Sequence, residues 1–367
     1  MTTHHRLDAL LTDIAGAPDA HTLFAATSAR LRGLSSFDAA VWAATDPING
    51  LTTAPVRVEN LHEGGCGTYW EAELFGESVN RFRDLAQAPV PVVGLRAVTG
   101  GDPACSPLYR TFMRPRGFAD ELRAVFRVDG QSWGQLSLFR ERGRADFDAA
   151  DIAHVTALSA PLAHRLRSFA RPSSAPMPRD TTAAPGMLLF DDAGNLVSLN
   201  DEARSLLAQM PPGPSTTTAL GLALPLPVWI LSTAGRARLT GGSARIRIRT
   251  GTGRWLICHA SCLRAAEGGA SSTALIIEPA KPSEIAGLLT AAYELTPREI
   301  EVVDLIARGL PTAEIAATLH LSAHTVRDHV KAVFDKVGVT SRGELVACLF
   351  TEFQQPVTAR DTVRVVR

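Results

Sequence analysis

Between Leu295 and Phe350 the chain packs three helix-start signals and two glycine stops, which restricts this stretch to short helices joined by tight turns. Thr296-Pro297-Arg298-Glu299 is a capping box. The Thr296 hydroxyl can accept from the Glu299 N–H, Glu299 reaches back, and Pro297 stands where a missing N–H costs nothing. Val302, Val303 and Ile306 follow at helical spacing, widened by Leu305, and Gly309 supplies the stop. A second short helix is expected over 312–319, with Ile315 and Leu319 inward. After His320-Leu321, Ser322 caps a third helix running to Val337, and Gly338 ends it. Ser341-Arg342-Gly343-Glu344 reads as another capping box, opening a fourth helix through Phe350.

The third helix has two faces. Val326, Val330, Val333, Phe334 and Val337 fall on one apolar stripe. His324, Thr325, Arg327, Asp328 and Lys331 lie off that stripe, most of them in the N-terminal half. Two helices joined by a short turn, the second with a polar N-terminal half, are the layout of a helix-turn-helix, whose second helix meets base edges with that half. The free N–H groups and positive dipole end there also suit a phosphate. Arg and Lys can hydrogen-bond guanine, Thr can touch a thymine methyl, and any of them can hold phosphate.

These residues resemble a LuxR/GerE-type helix-turn-helix, whose pattern runs L-T-x-R-E, G-x-x-x-x-E-I-A, S-x-x-T-V-[KR]-x-H and K-x-G-V. Here the four blocks are 295–299, 309–316, 322–329 and 336–339. The resemblance implies an all-α four-helix DNA-binding domain over 284–352. It places Thr325, Val326, Arg327, Lys331 and Lys336 at or beside the DNA, to which His324 is added from the polar half of the helix. Val326 also belongs to the core stripe, so two readings of it compete. Two positions depart from the family: Pro311 stands where a Ser or Thr cap is usual, and Ala313 where a Lys is frequent. Between Thr296 and Phe350 six Lys or Arg face seven Asp or Glu, a net charge of −1. The basic footprint of a DNA binder is therefore only local, around Arg327, Lys331 and Lys336, and a dimer is expected to be needed for firm binding.

Over the whole chain 37 basic and 37 acidic residues cancel, which excludes a general attraction to nucleic acid or to an anionic membrane. No run of about eighteen apolar residues spans a bilayer; the longest candidate, 219–231, is broken by Pro225 and Pro227. The N-terminus lacks an apolar signal core, so the expected location is cytoplasmic. Five scattered cysteines argue for free thiols rather than a disulfide framework.

The segment 171–185 is a Pro/Ser/Thr-rich linker by composition, and another boundary falls near 279–283. The first domain is read as 5–170. It opens with helices at 6–15 and 19–34, then a strand at 37–44 and a turn at 46–50. Helical stretches at 68–85 and 106–113 follow. Strands at 121–128 and 133–140 are joined by Asp129-Gly130, and a helix at 147–169 leaves the domain. This order, with the WGQLSLFR strand and FDAADIAHVTALSAPLAHRLR helix, resembles a GAF domain. The resemblance implies a pocket for a small molecule on one sheet face and an exit helix that pairs in a dimer. The second domain, 186–279, is read as strands at 187–190 and 196–199, a helix capped by Asn200, and strands at 245–249, 254–263 and 273–278. GMLLFDDAGNLVSLNDEA is similar to the opening of a PAS domain. Residues 353–367 are read as a flexible tail. The fold class expected is multidomain α+β: two antiparallel-sheet sensor domains, then an all-α helix-turn-helix domain.

Three motifs imitate chemistry. Gly130-Gln131-Ser132-Trp133-Gly134 matches G-x-S-x-G, but a nucleophile elbow needs a helix after the turn and here a strand follows. Cys258 and Cys262, four residues apart on a strand, lie about 13 Å apart and cannot share one zinc. Cys66, in a glycine-rich loop, reads as an ordinary loop residue. No catalytic residue, metal site or cofactor is expected; His259, the one histidine of the second domain, is no haem ligand on a strand. The expected partners are double-stranded promoter or operator DNA, a second copy of the chain, RNA polymerase and a small-molecule ligand of the GAF-like domain, with no membrane. The expected function is that of a transcriptional regulator rather than an enzyme. The alternative is a ligand-binding or enzymatic protein whose C-terminal helices serve only association.

Overall fold

A computed structural model describes residues 3–61, 69–70, 73, 79–171, 184–217, 225–264 and 271–351. The linker core, the tail from 353, Cys66 and part of the stretch 68–85 lie outside them; Phe82–Leu85 is helical. The chain divides into two compact units, Met1–Ala280 and Lys281–Arg367.

The first unit holds two five-stranded antiparallel sheets. It opens with α1 (Thr3–Gly16) and α2 (Ala20–Leu31), the latter capped by Asp19, whose side chain accepts from Thr22 N at 2.8 Å. The first sheet comprises β1 (Ala39–Thr45), β2 (Thr52–Glu59), β3 (Val92–Gly94), β4 (Phe118–Val128) and β5 (Gln131–Glu141), in the order β2-β1-β5-β4-β3. The β4–β5 turn has Asp129 and Gly130 at φ 51° and 75°, the paired left-handed conformation that matches the twist of a two-residue hairpin. Helix α3 (Ala149–Phe169) starts at a capping box of Asp148 and Asp151. It lies on β4 and is held there by Ser159 Oγ, which donates to Val125 O at 2.7 Å. Trp42 and Phe126 on the same side of the sheet pack with Phe24 of α2 in an aromatic row. The opposite side packs Phe139 against Tyr69 and Phe112.

That opposite side also buries charge. Arg123 and Glu121 of β4 are fully buried, and Arg123 Nε donates to Glu121 Oε1 at 2.9 Å. The other edge of the guanidinium donates to both carboxylate oxygens of Glu73, at 3.3 and 2.5 Å. Phe82 lies beneath it, 4.8 Å from its carbon. Burial raises the Glu73 carboxyl above its ordinary range despite Arg123.

The second sheet comprises β6 (Gly186–Phe190), β7 (Leu196–Leu199), β8 (Ser243–Arg249), β9 (Trp255–Leu263) and β10 (Ser272–Pro279), in the order β8-β9-β10-β6-β7. Asn200 caps α4 (Asp201–Ala208) as its position requires, accepting from Ala203 N at 3.0 Å. The expected count of one helix here was short by one: α5 (Val228–Thr240) covers the sheet and fully buries Trp229 and Ile230.

The edge strands of the two sheets meet. Asp46, at the end of β1, accepts from Arg247 N at 3.1 Å and from Arg247 Nη1 at 2.8 Å. Thr53 Oγ1 donates to Arg247 O at 2.7 Å, and Asn49 Nδ2 donates to Arg245 O. Arg249 Nη1 donates to Phe169 O and Arg171 O, at 2.5 and 3.0 Å, closing the end of α3 with a cation where the helix dipole favours one.

Of the imitative motifs, Ser132 is a strand residue whose carbonyl accepts from Thr45 Oγ1 at 2.9 Å. Cys258 points into the core, where burial pushes its thiol far up.

The second unit is all α: α6 (Pro282–Ala292), α7 (Pro297–Ala307), α8 (Thr312–Thr318), α9 (Ala323–Val337) and α10 (Arg342–Val346), the last continuing into a wider turn at Ala347–Thr351. One left-handed residue closes each of the first four helices: Glu294, Gly309, His320 and Gly338. The fold class is thus antiparallel-sheet units followed by an all-α helix-turn-helix region.

Candidate nucleic-acid interface

The second helix of the pair is set by its caps. Ser322 Oγ accepts from Thr325 N at 3.0 Å and lies 2.9 Å from Thr325 Oγ1. At the other end, Gly338 at φ 78° lets its own N–H and that of Val339 return to Phe334 O, at 2.8 and 3.1 Å. Val326 and Val333 are fully buried and Val337 is buried, while Val330 and Phe334 are half-buried. The opposite face exposes His324, Arg327, Asp328 and Lys331. Steps of three, one and three residues keep these four within one helical face.

The six site residues expected from the sequence separate into three groups. Arg327 and Lys331 are exposed and, among the described residues, make no side-chain hydrogen bond or ion pair. His324 is exposed beside them but engaged, its Nδ1 lying 2.9 Å from Asp328 Oδ2. Thr325 is half-buried, with its hydroxyl against the Ser322 cap. Val326 and Lys336 are placed differently from these four. The Val326 side chain is sealed in the helix core and presents nothing to a groove. Lys336 Nζ donates to Glu299 Oε2 at 2.7 Å and to Glu294 O at 2.9 Å, so its ammonium is spent inside the domain.

Two further arginines are structural, which sequence reading had not distinguished. Arg298 Nη2 donates to Leu319 O at 2.6 Å, bridging the start of α7 to the end of α8. Arg342 donates to Leu310 O at 2.9 Å and to Thr312 Oγ1 at 2.8 Å. It thereby stitches α10 to the start of α8, where Pro311 provides no side-chain cap. The capping box expected at 341–344 is displaced: Ser341 Oγ accepts from Glu344 N at 3.1 Å, but the Glu344 carboxylate turns to Thr340 N at 2.7 Å. Of the six cations between Thr296 and Phe350, Arg298, Lys336 and Arg342 are thus held internally. Arg327 and Lys331 stand one turn apart on the exposed face of α9, and Arg308 lies at the end of α7.

The Thr296–Glu299 box forms as read, with Glu299 Oε2 accepting from Thr296 N at 2.7 Å. Burial alone would raise the Glu299 carboxyl, but Lys336 and the Thr296 N–H outweigh it and hold it below its ordinary value. A carboxylate held low stabilises the fold above its unfolded pKa, and that share is lost as pH falls through the lowered value. Lys336→Met is therefore expected to destabilise the helical unit by about 2 kcal/mol at neutral pH, the usual cost of deleting a hydrogen bond to a charged group. Most of the difference from wild type should vanish under acid. Hydrogen exchange of the α9 amides in the full chain, at neutral and acid pH, measures both effects.

Residues 293–349 match the family described as "Bacterial regulatory proteins, luxR family". The chain is 47% identical over 53 residues to the response regulator Rre1 of Synechocystis sp., covering 14% of this chain and 23% of that protein. It is 44% identical over 62 residues to the response regulator RamR of Streptomyces coelicolor, covering 17% and 31%. To the nitrate/nitrite response regulator protein NarL of Escherichia coli it is 41% identical over 59 residues, covering 16% and 27%. The chain therefore spans under a third of the length of these relatives. Among solved structures, Escherichia coli SdiA aligns over 94% of this chain and 96% of its own at 11% identity, with a TM-score of 0.35. The Vibrio cholerae VqmA dimer aligns over 46% and 82% at 17% identity, with a TM-score of 0.21. Residues 293–349 are a helix-turn-helix domain of the luxR family of bacterial regulatory proteins.

Proposed function

We propose that the chain is a DNA-binding transcriptional regulator that grips a promoter or operator duplex as a homodimer. The observation that carries this is the exposed face of α9, where Arg327 and Lys331 stand one turn apart without a side-chain partner among the described residues. Desolvating a cation that already has a partner would cost that bond; these two have none to lose. His324 and Thr325, at the N-terminal end of the same helix, complete the contact surface, where first-turn N–H groups favour a phosphate. The net charge of −1 over the domain makes one copy a weak binder, so two copies on paired half-sites about 34 Å apart supply the affinity. The two sheets of the first unit, read as GAF-like (5–170) and PAS-like (186–279), take the signal. A ligand or partner bound there shifts α3, which changes the spacing of the two recognition helices. RNA polymerase is the protein such a regulator would address at a promoter.

Selection of duplexes from a random pool by the full chain tests this. The expected result is a two-fold-symmetric site, with log K falling linearly with log salt. A pool that stays unenriched, with no salt-dependent retention, would leave the rival reading of a chain whose helices serve only association.

A further inference from the structure

A cleft of about 930 Å³ opens in the first unit where the two sheets meet, within the size range of small-molecule sites. One wall comes from the first sheet and the residues beside it, the other from α5 and β8. Its charge is one-sided. Arg81 and Arg83 line it from the first wall and Arg236 and Arg245 from the second. Among the described residues the one carboxylate in the lining, Glu73, already receives the Arg123 guanidinium at 2.5 Å. Among the described residues, Arg236 and Arg245 make no side-chain hydrogen bond or ion pair. Between the walls the lining is polar. Gln135 Nε2 donates to Thr52 Oγ1 at 2.9 Å, both residues being 6% exposed, and Ser132 and Ser232 add hydroxyls.

Like charges brought together in a concave surface raise the local potential and concentrate counter-ions. Guanidinium groups also meet phosphate and carboxylate with paired, charge-assisted hydrogen bonds. We propose that this cleft binds a small, hydroxyl-bearing organic polyanion, a phosphate ester or a polycarboxylate, held between arginines of both sheets. The site spans the two sheets rather than lying on a single sheet face, so an occupant ties them together across the seam made by Asp46 and Arg247. This deepens the ligand part of the reading above. Its test measures binding without DNA, so its failure leaves the assignment of α9 standing, and failure of DNA binding leaves the cleft standing.

Inorganic pyrophosphate and citrate serve as probes of the two anion classes and trehalose as a neutral control, titrated calorimetrically into the full chain at low ionic strength. At least one anion is expected to bind with Kd of about 1 mM or tighter, while trehalose shows no heat. Arg236→Ala combined with Arg245→Ala is expected to weaken that binding at least about tenfold. Arg204→Ala, an exposed arginine outside the lining, should leave it unchanged. Arg236 and Arg245 are exposed and, among the described residues, without side-chain partners, so their loss should not disturb folding; the charge reversal Arg236→Glu provides a second variant, expected to weaken binding further. Absence of binding by both anions overturns the proposal. So does binding that the double variant retains in full, or trehalose binding as tightly as the anions.

Discussion

Arg123→Met is expected to destabilise the first unit by about 3–5 kcal/mol, the cost of removing one partner from a buried ion pair. The methionine fills most of the space over Phe82, but Glu121 and Glu73 lose the guanidinium that holds both. The second oxygen of Glu121 is buried and finds no partner among the described residues even with Arg123 in place. In the variant the Glu73 carboxyl would fold most easily in the protonated form, since burial already raises it. A carboxyl with a raised folded pKa stabilises the fold below its unfolded pKa, and that contribution is lost as pH rises through the folded value. The variant should therefore lose more stability relative to wild type at pH 7 than near pH 5. Thermal melting followed by tryptophan fluorescence measures this, because all five tryptophans lie before residue 281. Equal loss at both pH values would mean that the carboxylates are compensated otherwise.

Arg327→Ala and Lys331→Ala are each expected to weaken binding to a selected duplex by about 1–3 kcal/mol where the side chain reads a base, or to lower the salt slope by about one where it holds phosphate. Neither should change the melting temperature, because neither side chain makes a polar bond among the described residues. This separates them from Lys336, whose replacement should loosen α9 through Glu299 and Glu294. Fluorescence anisotropy across a salt series, paired with thermal melting, distinguishes the two classes. An unchanged affinity and slope in both variants would remove α9 from the DNA surface.

The helix-turn-helix was legible because its boundaries are encoded locally. Thr296 and Ser322 each satisfy a first-turn N–H within three residues, and Gly309 and Gly338 mark two of the ends. Glu294 and His320 close helices in the same left-handed conformation at φ 59° and 54°, which only context imposes on such residues. Strand β2 was not legible because it contains Pro55, a residue that argues against a strand unless the strand is at an edge, as this one is. Helix α5 escaped notice because it is buried on nearly every side, from Val228 through Ala237, so no 3.6-residue alternation marks it. The candidate DNA surface shows the same limit. Spacing placed Arg327, Lys331 and Lys336 together, but only tertiary contacts distinguish a cation facing solvent from one holding Glu299.

The alternation of Ile and Arg along β8 looks like a strand with one wet face, yet Arg247 and Arg249 spend their guanidinium groups on the first sheet and on α3. Asp46, Asn49 and Thr53 in turn occupy backbone groups of β8 that would otherwise offer themselves to any passing strand. A shortened chain beginning at Gly186 would lose these covers and present a bare edge to its own copies. The proline-rich segment is thus a poor place to cut: what it joins is protected from polymerisation by remaining joined.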